Sequence, residues 1–237
     1  MPELSPASII NSVERVPLCP PGLTLVPEYL SPSVESRLAT YFREEASQHW
    51  IRLSNRRVIL YGLHFVSNGS GHRCYTRVIP DLIRQLAEQL VADGYQNQVA
   101  NHILVNEYRV GQGIMPHEDG PAFLPNAAII SLLSGTVLDF YSKQLTARSK
   151  PVASVYLPPR SLCMITEEAY TSYLHGIAER NADEGVPRSD RISLTFRYTA
   201  QLPEATREAA ANQAPQAEAL SHSSKEKRIL QFLQRRK

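Results

Sequence analysis

The stretch Arg191-Ile192-Ser193-Leu194-Thr195-Phe196-Arg197-Tyr198-Thr199 decides the fold. It alternates without a break: Arg191, Ser193, Thr195 and Arg197 fall on one side of an extended chain, and Ile192, Leu194, Phe196 and Tyr198 on the other. The apolar side belongs against a second layer. The polar side is then either an exposed edge face or the lining of an enclosed space, where a guanidinium is costly unless an anion meets it. Toward the N-terminus, short β-prone runs follow one another at 162–166, 152–157, 136–141, 127–133 and 102–110, with turns and no regular helices between them. That order argues against a doubly wound sheet and for a mainly β fold with supporting helices, a sandwich or jelly roll.

Further upstream the periodicity changes. Val34, Leu38, Tyr41 and Phe42 recur at helical spacing after the Ser31-Pro32 pair, which predicts a helix from Pro32 to about His49. A second helix is expected from about Pro80, with Leu82, Ile83, Leu86 and Leu90 in one stripe and Gly94 as its stop. Between them, Asn55 to Val66 reads as one or two short strands interrupted at Gly62, and Asn68 to Cys74, with two glycines, as a loop. The proline-rich first thirty residues read as extended chain wrapped on a core.

Composition narrows the class. The 237 residues are 43% hydrophobic and 20% charged, which fits neither wholesale disorder nor a coiled-coil rod. A formal net charge of +2 makes no general electrostatic case for nucleic acid, so local distribution has to decide. No run approaches the roughly 18 apolar residues of a membrane span, and no signal peptide is expected at the N-terminus. Cys19, Cys74 and Cys163 lie too far apart in sequence for a thiolate cluster and read as ordinary thiols.

The sharpest local pattern is Met115-Pro116-His117-Glu118-Asp119-Gly120. Two positions apart at a strand end, His117 and Asp119 can leave the same face and converge on one ion, with Glu118 pointing away. A surface histidine before an Asp-Gly turn would look the same, so a third ligand is required. His175, in Tyr173-Leu174-His175-Gly176-Ile177, is the best candidate, because a folded sheet brings distant strands side by side. Two imidazoles and one carboxylate hold one face of a ferrous ion and leave three positions for reactants, which suggests oxygen chemistry. Arg191 is suited to fork onto the distal carboxylate of a small keto diacid, and Asn106 and Tyr108, on one face of their strand, can complete its hydrogen bonding. Triad and clamp together specify a 2-oxoglutarate oxygenase.

With Asn106-Glu107-Tyr108, His117-Glu118-Asp119, His175-Gly176-Ile177 and Arg191 to Arg197 in this order and spacing, the chain resembles the AlkB family of iron and 2-oxoglutarate-dependent dioxygenases over about residues 55–198. The resemblance implies a double-stranded β-helix, Fe2+ held by His117, Asp119 and His175, and 2-oxoglutarate as cosubstrate. It implies that Arg191 and Tyr108 meet the distal carboxylate, that Asn106 lies near the metal end, and that Arg197 sits between cosubstrate and catalytic pocket. Ser193 stands where DNA-repairing members commonly carry asparagine, a shorter group toward the cosubstrate.

The resemblance also divides the chain: 1–54 a wrap and helix, 55–100 a substrate-lid region with its helix, 101–200 the catalytic jelly roll, 201–224 a polar linker and 225–237 a basic helix or tail. In the lid region Arg56 and Arg57 are expected on phosphates, and Tyr61 or His64 near a displaced base. With molecular oxygen, oxidative decarboxylation gives succinate and carbon dioxide and hydroxylates a C–H bond of the primary substrate. On an N-methyl group the product expels formaldehyde, a demethylation. The implied partner is single-stranded or locally opened RNA or DNA, in nucleus and cytoplasm. The alternatives are a protein or small-metabolite hydroxylase or demethylase with the same centre, and a noncatalytic interaction protein.

Overall fold

A computed structural model describes residues 16–67, 72–144, 146, 149–183 and 185–200. The expectations for residues 1–15, for the loop at 68–71, and for the linker and tail at 201–237 lie outside the described residues. The chain runs β1 (Val16–Leu18), β2 (Leu23–Val26), α1 (Pro32–Arg43), β3 (Ile51–Arg52), β4 (Arg57–Ser67), β5 (His72–Arg77), α2 (Asp81–Ala92), β6 (His102–Tyr108), β7 (Ile114–His117) and β8 (Asn126–Leu132). It continues with β9 (Thr136–Ser142), β10 (Ala153–Leu157), β11 (Leu162–Thr166), α3 (Glu167–Thr171), β12 (Tyr173–Ile177), β13 (Ala182–Asp183), β14 (Val186–Pro187) and β15 (Arg191–Arg197).

Two antiparallel sheets make the body. The larger has the order β1-β2-β11-β8-β15-β6-β4-β3, with β5 paired to β4, and the smaller the order β10-β9-β12-β7. The strand that opened the sequence reading, β15, lies in the middle of the larger sheet between β6 and β8. Its apolar residues Ile192, Leu194 and Phe196 join Ile103, Val105, Ile130 and Leu132 in a core closed by the two long helices. Its polar residues face the smaller sheet, sharing that side with Ile129, Cys163, Leu138 and Phe140 from both sheets. The mainly β jelly roll with helical backing is therefore the observed fold.

The helices form where propensity and capping agree. In α1, Pro32 takes the first turn, where its missing N–H costs nothing, and the Ser31 hydroxyl accepts from the Val34 N–H at 3.3 Å. The expected run to His49 divides: α1 stops at Arg43 and a separate 3-10 turn covers Ser47–His49. In α2 the expected stripe is buried as Leu82, Ile83, Leu86, Ala87 and Leu90.

Two strand expectations are corrected. Gly62 does not interrupt its strand, because β4 runs eleven residues through it. The glycine, at φ +72°, lets the Asn101 carbonyl approach so closely that a Cβ would lie 2.1 Å from that oxygen. At this point β4 changes partner, pairing with β6 before Gly62 and with β5 after it. The expected loop to Cys74 ends sooner, since β5 begins at His72.

Candidate iron and cosubstrate site

The site grows from the pairing of β7 with β12, in which His117 and His175 are direct partners across the smaller sheet. Their rings lie 4.5 Å apart between centroids. Asp119 follows two residues after His117, and the ligand atoms of all three residues fall within 4.8 Å of one another. Gly176 permits this closeness. A Cβ there would stand 2.9 Å from the Ile114 oxygen and the Pro116 nitrogen, so any larger residue would push β7 off β12. His117 Nδ1 lies 2.9 Å from the Met115 carbonyl oxygen, which can only accept, so the proton sits on Nδ1 and the Nε2 lone pair is left for a cation.

Electrostatics favours a ligand set ready for metal. Burial pushes the His117 imidazole down to about 3, with the neighbouring His175 adding to the effect against the pull of Asp119. Burial likewise lowers His175. For Asp119 burial alone would raise the carboxyl, but the Arg197 guanidinium, with the imidazoles behind it, brings it down to about 2. Arg197 forks onto the carboxylate, with Nε to Oδ2 at 2.8 Å and Nη2 to Oδ1 at 2.6 Å. Two neutral imidazoles and an ionised carboxylate suit a ferrous ion with open positions.

Away from the metal, the polar face of β15 meets that of β6: Arg191 pairs with Tyr108, Ser193 with Asn106 and Arg197 with His102. Arg191 is 3% exposed and lies 5.7 Å from the Tyr108 ring centroid. Its Nη2 donates to Ser131 Oγ at 2.9 Å, while Nε and Nη1 are buried with no partner among the described residues. Burial pushes this guanidinium down to about 10, with Tyr108 pulling the other way and Arg188 adding to the loss. Two donor nitrogens left unpartnered on a buried guanidinium call for an anionic acceptor, and a carboxylate suits them. Arg191 and Tyr108 line a small cleft with Gln112, Thr136, Ile177 and Arg188. The Thr136 hydroxyl is also buried without a partner among the described residues. The donor set therefore fits one carboxylate of a small dicarboxylate.

Of the residues read from sequence, His117, Asp119, His175, Asn106, Tyr108, Arg191, Ser193 and Arg197 are brought to the space between the sheets. The lid residues are corrected by register. Arg57, Ile59 and Tyr61 alternate toward the helix-backed side of β4, opposite the face that carries Val58 and Asn106. Tyr61 is 2% exposed in the helix-side core, its hydroxyl 3.2 Å from that of Tyr41, so it is not a base-stacking residue. Arg57 stands over the Trp50 ring and pairs with Glu107, Nη2 to Oε1 at 2.6 Å, rather than offering its charge to a phosphate. Arg56 instead turns inward, donating from Nε to Asn106 Oδ1 at 2.9 Å. His64 lies on β4, with its side chain outside the described part.

Sequence reading missed Ser131, Thr136, Phe123 and Tyr170. The two hydroxyls look like ordinary strand residues until the fold sets Ser131 on Arg191 and Thr136 in the same cleft. Phe123 packs on His102, ring centroids 4.6 Å apart, and under the Arg197 guanidinium at 5.3 Å. Tyr170, on α3, has a buried hydroxyl with no partner among the described residues, held protonated first by burial and then by the charge of Asp119.

Comparison with known proteins places this geometry among relatives. The 2OG-Fe(II) oxygenase superfamily matches residues 63–197. The chain is 32% identical over 209 residues to the probable RNA/DNA demethylase ALKBH6 of Danio rerio, covering 77% of this chain and 88% of the relative. It is 29% identical over 213 residues to the tRNA (carboxymethyluridine(34)-5-O)-methyltransferase ALKBH8 of Mus musculus, covering 78% of this chain and 31% of that larger protein. The solved structure of OsALKBH1 superposes with a TM-score of 0.59 at 13% identity, covering 78% of this chain and all of the other, a likeness of fold.

Proposed function

The chain belongs to the AlkB family within the 2OG-Fe(II) oxygenase superfamily, and from that premise we propose that it oxidatively demethylates a modified base in single-stranded or locally opened RNA or DNA. It is an iron and 2-oxoglutarate-dependent dioxygenase. The observation that carries the reading is Arg191, a buried guanidinium with two N–H groups unspent, on the face that leads to the His117, Asp119 and His175 cluster.

The residues divide the work. His117, Asp119 and His175 would hold iron, which, with 2-oxoglutarate as the two-electron donor, would let molecular oxygen hydroxylate a substrate carbon. Arg191 would fork onto the distal carboxylate, with the Tyr108 phenol and the Thr136 hydroxyl beside it. Arg197 keeps Asp119 ionised and aimed, so that the ligand is ready before any metal arrives. The apolar residues Leu138, Phe140 and Ile177 of the smaller sheet would exclude water from the cosubstrate's methylene carbons. Phe123 supplies an aromatic surface beside the cluster, a surface suited to a flat base. We extend the proposal to a nuclear and cytoplasmic location, which fractionation of tagged protein tests.

The deciding experiment is succinate formation by iron-loaded protein given methylated single-stranded RNA, methylated DNA or peptide pools, with Asp119→Ala as control. Stimulation by a methylated oligonucleotide, with formaldehyde released in equal amount, is expected. Stimulation by peptides alone would move the substrate to protein.

A further inference from the structure

Two adjacent arginines where the β3–β4 connection enters β4 meet opposite fates. Arg57 is taken by Glu107 on the helix-backed side of the larger sheet. Arg56, one residue earlier and so on the other side, makes no ion pair among the described residues and donates from Nε to the Asn106 side chain at 2.9 Å. A cation that reaches between the sheets and spends a charged donor on a neutral amide needs a reason.

The chemistry of the pair fixes one orientation. A guanidinium carries five donors and no acceptor, so the group it meets on Asn106 has to be the amide oxygen. The amide nitrogen, with its two N–H donors, is thereby turned away from Arg56. Asn106 is 5% exposed, lies two residues before Tyr108 on the same face, and stands opposite Ser193, itself two residues from Arg191. An asparagine free to rotate about its last bond would present oxygen as readily as nitrogen to this space. Toward a carboxylate, oxygen repels and nitrogen binds.

We propose that Arg56 is a positioning residue of the cosubstrate site, locking the Asn106 amide so that its N–H groups face the cosubstrate. The inference rests on the reading that 2-oxoglutarate lies between the sheets, and it replaces the phosphate-binding role expected for Arg56 from sequence. A direct contact from Arg56 to nucleic-acid phosphate is the rival that the test must separate.

The test is the anaerobic titration of iron-loaded full-length protein with 2-oxoglutarate, read from the metal-to-ligand charge-transfer band with no primary substrate present. Wild type, Arg56→Ala, Asn106→Ala and the double variant form a cycle. Arg56→Ala is expected to weaken cosubstrate binding about tenfold, as for one charge-orienting hydrogen bond. In the Asn106→Ala background it is expected to cost nothing further. Arg56→Lys keeps the charge but not the Nε geometry, and should recover only part of the affinity. Should the alanine variant lose its cooperative melting transition, the lysine variant carries the comparison: a cosubstrate affinity equal to wild type would overturn the proposal.

Two other results would sink the idea. One is an unchanged cosubstrate affinity in Arg56→Ala together with weaker, less salt-dependent binding of a methylated oligonucleotide, the mark of a phosphate contact. The other is losses that simply add in the double variant. A wild-type protein that binds no 2-oxoglutarate would refute the underlying cosubstrate reading instead, and the choice of nucleic-acid substrate does not enter the titration at all.

Discussion

Arg191 and Arg197 sit six residues apart on one strand, both almost fully buried, yet among the described residues only Arg197 has an acidic partner. Replacing Arg191 by methionine should therefore leave the cosubstrate-free protein as stable as wild type or more so, since a poorly satisfied buried charge is exchanged for packed methylenes. The same change should weaken 2-oxoglutarate binding by about 100-fold, the worth of a forked, charge-assisted pair of hydrogen bonds. Melting with and without cosubstrate reads both effects. Asp119→Ala should behave in the opposite way. It removes a metal ligand and strands Arg197, so the metal-free protein should lose about 3–5 kcal/mol in denaturant titration.

The imidazoles give the metal-free protein a characteristic acid profile. Both are held below their ordinary range by burial, His117 to about 3, so the unfolded chain binds protons that the folded one refuses. Their contribution is complete above about pH 6.5 and declines as the pH falls below it, that of His117 down to about 3, with a limiting slope of up to about 2.7 kcal/mol per pH unit while both sites titrate. A His117→Leu, His175→Leu double variant should flatten that slope in urea titrations between pH 6.5 and 5. At this scale the triad and the clamp arginine were legible because each stands in a telling pattern, a His-X-Asp at a strand end, a histidine in a distant β-prone run and an arginine on the polar face of an alternating strand. Arg56 and Arg57 were not separable, since only register sends one inward and the other against Glu107.

Elements carry the next level of control. The β7–β12 pair sets the imidazole spacing, and Gly176 sets how near the two strands come. Gly176→Ala should cost about 1–3 kcal/mol through overpacking and should lower iron affinity in a chelator competition, although no ligand is altered. A loss of stability with iron affinity intact would refute that coupling. The element pattern also explains which parts of the fold could be read. The stripe of α2 and the alternation of β15 are periodic over many residues and were found. Short β7 contains Pro116 and an exposed Met115, and α3 is a single turn inserted between two strands, so neither offers a period to detect. Gly62 looked like a break because the sequence does not reveal that Asn101 needs its missing side chain.

For the whole molecule, ligands should be felt as stability. Iron and 2-oxoglutarate bind only where β6, β7, β12 and β15 are all in place, so at about 100 times the dissociation constant each ligand should add about 2.7 kcal/mol. For a domain of this size that corresponds to a rise of about 5–11 °C in melting temperature, abolished for cosubstrate in Arg191→Met. The jelly roll itself was readable from the succession of strands without helices between them. Which sheet each strand joins was not, because antiparallel partners such as β2 and β11 are far apart in the chain and no local pattern records the pairing.

The distance in sequence between His117 and His175 has a consequence for how the protein is made. At about 5–20 residues per second, a ribosome delivers the second imidazole several seconds after the first. Arg197, which keeps Asp119 ionised, is made later still, on the strand that completes the larger sheet. A nascent chain thus has no grip on iron through most of its synthesis, and metallation has to await release and closure. A cell short of iron would accumulate finished, folded and inactive enzyme rather than stalled fragments.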